Sequence, residues 1–147
     1  MGMMVKNWDL ERLWTAKPEI FGNKKLSVKL VYWLSRLQKD VEKRFKEYAD
    51  ARSALFEKYS IKNEDGSSKY GPNGEYSFRK VNDEGKVEID RTVEVSKEMD
   101  ELRQMVIEVT SYEKIKLDLS DKTLEGVLSP NDLTMLEPFV EIVEPKE

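Results

Sequence analysis

The chain contains no cysteine and no histidine, and its 147 residues include only five prolines and seven glycines. Without thiols there is no disulfide scaffold, no thiolate nucleophile and no cysteine-based zinc site. Without imidazole there is no histidine general base and no side chain that switches charge near neutral pH at its ordinary pKa. Long apolar runs are also missing. None approaches the ~18 residues that span a bilayer, and the start lacks the basic-then-apolar layout of a secretory signal, so the expectation is a cytoplasmic protein.

What is present is charge, at 37% of residues, beside 39% hydrophobic residues. The aliphatic and aromatic side chains suffice for one core of modest size, and the length fits a single domain over 1–147. The formal charge of −4 conceals a division along the chain. Residues 24–46 hold eight basic side chains against Asp40 and Glu42, a local charge of +6, while residues 94–147 hold fourteen acidic against six basic, a local charge of −8.

Three sections follow from the local patterns. In the first, 1–23, Asn7 is a candidate cap for a short helix reaching Trp14, and Pro18 and Gly22 end it. The second, 24–60, has no proline or glycine. Its Leu26, Leu30, Leu34, Leu37, Val41, Phe45, Tyr48, Leu55 and Tyr59 share one sector of a helical wheel, which predicts a single amphipathic helix over about 25–59. The third, 61–147, is read as mixed. Turn pairs Asp65-Gly66, Gly71-Pro72 and Asn73-Gly74 precede a hairpin over about 76–93, closed by Asn82-Asp-Glu-Gly85. A second helix is expected from about 95 to 105 with Ser96 as cap. Alternating strands are expected at 106–110 and 115–119, and a last helix starts at the cap Ser129-Pro-Asn-Asp132. The fold class is therefore α+β, one long helix with shorter helices packed on it and a small antiparallel sheet made from the 76–93 hairpin and the strands after Met105.

Opposite the apolar sector lie Lys25, Lys29, Arg36, Lys39, Lys43 and Lys46, with Tyr32 and Trp33 nearby and Glu47 and Asp50 further along. These ten residues form the candidate interaction face. A solvated helix face is the ordinary explanation of such a stripe; a protein-binding surface and a nucleic-acid surface are the functional ones. A stripe positive first and negative later is also complementary to itself in antiparallel register. This predicts a coiled-coil homodimer through the long helix, or its pairing within the chain with the 95–105 helix. Paired carboxylates at Glu64 and Asp65, Asp83 and Glu84, and Asp118 and Asp121 are the remaining route to catalysis, but they lie where turns and caps favour Asp for backbone bonding. Loop spacing fails the calcium pattern, since Ile61 and Lys80 sit five positions before Gly66 and Gly85. No glycine pattern opens a helix to cradle phosphate. No catalytic residue, metal or cofactor is assigned.

The ordered elements also resemble a class of small tailed-phage and prophage proteins. The likeness runs over about 26–142. It is carried by Tyr32, Leu34, Arg36, Leu37, Val41 and Glu42, by Tyr48-Ala-Asp-Ala-Arg52, Leu55 and Lys58-Tyr59, and by Glu64-Asp-Gly66 after the long helix. Further on it is carried by Lys97-Glu-Met-Asp-Glu-Leu102, Val106-Ile-Glu-Val109, Glu113-Lys-Ile-Lys-Leu117 and Leu128-Ser-Pro-Asn-Asp-Leu133, leading to Leu136-Glu-Pro-Phe139. The chain departs from the class in a longer 79–93 region. The resemblance implies a phage or prophage source acting in the host cytoplasm and carries over no activity. The function read from these observations is a non-enzymatic accessory protein that binds a host or phage protein, by preference a host defence or regulatory factor that it inhibits. The first alternative is a virion morphogenesis factor or assembly chaperone, and the second is nucleic-acid binding through the basic face. No membrane partner is expected.

Overall fold

A computed structural model describes residues 2–144. Among them are four α-helices and six strands, an α+β fold, and no helix is long and apolar enough to cross a membrane. The chain forms two compact units, one from the N-terminus to Lys46 together with Met105 onward, the other Glu47–Gln104. The division falls inside the long helix, whereas the sequence sectioned the chain at that helix's ends.

In the first unit, strand β1 (Met3–Lys6) leads into helix α1 (Asn7–Ala16). Met3 and Val5 are buried while Met4 and Lys6 are exposed, the period-two pattern of a strand covered on one face. Lys6, not Asn7, stands at the cap: Asp9 accepts the Lys6 backbone N–H at 3.1 Å, and Asn7 is buried in the first turn. A 3-10 turn at Glu19–Gly22 precedes α2 (Val28–Tyr59), which belongs to this unit as far as Lys46. Ser27 stands before α2, and its hydroxyl accepts the Leu30 N–H.

After Met105 come β4 (Val106–Thr110), β5 (Ile115–Asp118), α4 (Pro130–Leu136) and β6 (Val140–Val143). Strand β1 pairs antiparallel with β4, placing Val5 opposite Ile107. Strand β5 pairs parallel with β6, placing Leu117 opposite Ile142, and α4 lies in the crossover that a parallel pair requires. The α4 cap is reciprocal, with Ser129 Oγ accepting from Asp132 N at 3.1 Å and Asp132 accepting from Ser129 N at 3.2 Å. These elements enclose one core that includes Leu10, Leu13, Leu34, Leu37, Val41, Leu117, Leu136 and Phe139.

The second unit holds the rest of α2, strands β2 (Arg79–Val81) and β3 (Val87–Asp90), and α3 (Thr92–Gln104). The stretch after α2 folds back in nested turns. Ile61 N–H reaches Ser77 O at 2.7 Å, and Lys69 N–H reaches Ile61 O at 2.7 Å. Arg91 donates from Nη1 to the carbonyls of Tyr59 and Ser60, satisfying acceptors that a helix C-terminus leaves open. The hairpin loop forms around Asn82, whose side chain accepts from Glu84 and Lys86 N–H, and around Gly85 at φ 81°, a conformation that costs glycine nothing. Helix α3 begins at Thr92, capped by Asp90, so Ser96 is not its cap.

The expected single sheet is corrected as well. The hairpin does not join the later strands in one sheet: β2–β3, β1–β4 and β5–β6 are separate two-stranded pairs. Strands β4 and β5 take β1 and β6 as partners, and in the turn between them the buried Thr110 hydroxyl donates to Tyr112 O at 2.7 Å.

The burial pattern predicts how unequally α2 tolerates substitution. Leu37 is 0% exposed and Val28 is 88% exposed. Leu37→Ala should cost about 2–5 kcal/mol and Val28→Ala less than about 0.5 kcal/mol in a denaturant titration.

Candidate protein-binding face

The face is built on the outer side of α2 within the first unit. At about 100° per residue, burial of Leu30, Leu34, Leu37 and Val41 turns Lys29, Tyr32, Arg36, Lys39 and Lys43 outward. All five are exposed, as is Lys46, and Trp33 is half-buried between the two sides. Lys29, Lys39, Lys43 and Lys46 make no ion pair among the described residues. Three predicted members fall elsewhere. Lys25 lies in the turn before the helix, and Glu47 and Asp50 belong to the second unit.

A residue that the sequence reading did not include completes the site. Thr110 shapes the turn after β4, and that turn carries Tyr112 to α2. The Tyr112 ring lies 5.4 Å from Trp33 between centroids, and Tyr32 meets Trp33 edge-on at 5.2 Å. Over the Trp33–Tyr112 pair sits Arg36, its guanidinium carbon 5.3 Å from the Trp33 ring and 5.0 Å from the Tyr112 ring. Each such contact is worth about 0.5–1 kcal/mol at an exposed site, so two together hold the Arg36 fork in place without closing the surface. Tyr112 donates its hydroxyl to Asp40 Oδ2 at 3.3 Å. Partial burial, then the charge of Asp40 and this bond, push the phenol up to about 12, and Arg36 opposes the shift. Tyr112 is separated from Asp40 by 72 residues, and no local pattern marks it.

Beside the stack lies a cleft of about 470 Å³, lined in part by Lys29, Trp33, Tyr112, Lys114 and Lys116. Asp118 and Asp121 also line it, but both are engaged in local turns. Asp118 accepts from Ser120 N at 2.9 Å and Asp121 from Thr123 N at 2.9 Å. Asp65 and Asp90 do the same toward Ser67 and Thr92. The repeated Asp-x-Ser/Thr turn accounts for these carboxylates, and the hydroxyl and backbone bonds hold Asp65, Asp90 and Asp118 below the usual carboxylate pKa. Among the described residues no three acidic side chains converge to hold a metal ion.

The apolar stripe that a homodimer through α2 would need is already covered from Leu26 to Val41 by the first unit's own core. No family model matches the chain, and no curated protein or solved structure matches it.

Because the folded state favours neutral Tyr112, its stabilising contribution is complete below the ordinary tyrosine pKa and is lost as pH rises through about 12. In an ultraviolet absorbance titration, one tyrosine should ionise near pH 12, and Tyr112→Phe should remove that step. Tyr76, raised by its hydrogen bond with Tyr70, should keep its own late ionisation in the variant.

Proposed function

We propose that the chain is a non-enzymatic accessory protein of a tailed phage or prophage, and that it binds another protein through Tyr32, Trp33, Arg36 and Tyr112. The phage origin rests on the sequence resemblance. The binding reading rests on one observation, the ordered Trp–Arg–Tyr stack beside a 56% exposed Tyr32. Interfaces draw most of their energy from small groups of these residue types, and a pre-ordered stack loses little side-chain entropy on binding. The lysines around it select an acidic partner and speed encounter rather than supply affinity. The favoured partner is a host defence or regulatory factor, which the chain would inhibit; a structural protein of the virion is the alternative.

A second reading is single-stranded nucleic acid. Trp33, Tyr112 and the lysines of the adjoining cleft favour it, whereas Glu113, Asp118 and Asp121 in the same cleft repel phosphate.

Photo-crosslinking separates these readings. A benzoylphenylalanine at position 39 should yield one dominant protein adduct in bacterial cells, and Tyr32→Ala or Arg36→Ala should weaken its binding roughly tenfold or more while the chain remains folded, its melting temperature lowered only modestly. An adduct that survives Arg36→Glu would contradict the assignment, and an adduct to nucleic acid would favour the second reading.

A further inference from the structure

A second cleft, of about 730 Å³, opens on the other side of α2 within the first unit. Its volume falls in the range of small-ligand pockets, roughly 300–1,000 Å³. Gln38 and Val41 contribute to its wall, about 140–160° around the helix from Arg36 and Lys43 at 100° per residue. The floor is apolar. Leu13 and Val41 are buried, Trp14 and Phe21 are half-buried, and Trp14 is fixed by stacking on Phe45 at 5.5 Å and 22° between planes.

The rim is of one sign but for a single residue. Lys17, Lys24 and Lys25 border the cleft, against Glu19 as the one carboxylate. None of these lysines makes an ion pair among the described residues, and Lys17 Nζ hangs 5.9 Å from the Trp14 ring centre. Asn23 uses its Oδ1 to accept from Lys25 N at 2.9 Å, which leaves its amide N–H groups as donors. The polar groups around the opening are thus mainly donors and cations over an aromatic floor.

A separate observation points to the same place. Lys17 has φ 43° and ψ 66°, the one described non-glycine residue with positive φ. It also precedes Pro18, which narrows its choices further. Glycine or asparagine would sit there with less strain. Lys17 is the left-handed cap of α1, its N–H bonded to Leu13 O at 3.0 Å, so the helix end enforces this backbone and holds the lysine at the mouth of the cleft.

We propose that this cleft binds a small anionic amphiphile, with an apolar ring system lying on Leu13, Trp14, Phe21 and Val41 and a carboxylate, sulfonate or phosphate head held by Lys17, Lys24 and Lys25. A peptide fits less well. The walls are the end of α1, the 3-10 turn and α2, none of which offers a strand edge for a peptide backbone to pair with.

The probe is 8-anilinonaphthalene-1-sulfonate, titrated into the full chain by fluorescence and followed by amide chemical shifts. One molecule should bind per chain, with shifts centred on residues 13–25 and 38–41. Uncharged N-phenyl-1-naphthylamine, which has the same ring body, should bind roughly tenfold more weakly. Lys17→Asn should weaken sulfonate binding about fivefold while leaving the melting temperature equal or higher, because asparagine relaxes the backbone. A merely structural lysine would not separate the two readouts in this way. Equal affinity for the two probes, undiminished binding by Lys17→Asn, saturation without one-to-one stoichiometry, or shifts centred instead on Phe56, Tyr70, Tyr76 and Phe78 would each overturn the proposal.

Discussion

Helix α2 keeps Leu30, Leu34, Leu37 and Val41 at 8% exposure or less. Burying four such side chains is worth on the order of 6–12 kcal/mol before entropy is counted, and that figure is an upper bound. The contacts on the outer side of the same helix, between Arg36 and its two rings, are worth about 0.5–1 kcal/mol each. That disparity assigns the roles. The inner face sets the helix's rotation about its axis, and rotation alone then decides that Lys29, Arg36, Lys39 and Lys43 meet solvent. Gln38, beside the buried face and roughly 100–180° from the basic residues at 100° per residue, is carried to the wall of the second cleft.

The same burial bears on association. Exposed charge pairs contribute little, so a stripe positive at one end and negative at the other does not hold two chains together unless an apolar seam drives the contact. From Leu26 to Val41 that seam is occupied by the chain's own strands and helices. The partner proposed for the outer face would bring its own apolar groups to Tyr32 and Trp33, and an acidic surface to the lysines. Such a partner differs in chemistry from a second copy presenting the same basic face.

Much of this fold was legible because its signals are local. The 3.6-residue spacing of leucines located α2 to within three residues at its start, and Ser129-Pro-Asn-Asp132 marked the start of α4 through a cap that needs only four residues. Asn82 and Gly85 announced the hairpin loop. The strand partners were not legible. Met3–Lys6 and Val140–Val143 are four residues each, too short for alternation to stand out, and their pairing with β4 and β5 is a long-range choice made by the core. Ser96 looked like a cap because any serine before an acidic turn does, but Asp90, with Thr92 two residues on, intercepts the helix earlier. At the site, the lysines and aromatics of α2 could be grouped from a helical wheel. Tyr112 could not, because a tyrosine in a polar turn is unmarked until Thr110 bends that turn against the helix. Lys25 was placed on the basic face by extending the wheel three residues beyond the true helix start, where it belongs to the other cleft.

If the inner face of α2 is what holds the basic face and the second cleft in place, its amides should be among the slowest in the molecule to open. Native-state hydrogen exchange followed residue by residue tests this directly. The prediction is that residues 34–45 exchange only by global unfolding of the first unit, with the same free energy and denaturant dependence as the buried positions of β4 and β5. Exchange of residues 34–45 at the rate of the turn segment 62–76, or with no denaturant dependence, would contradict it.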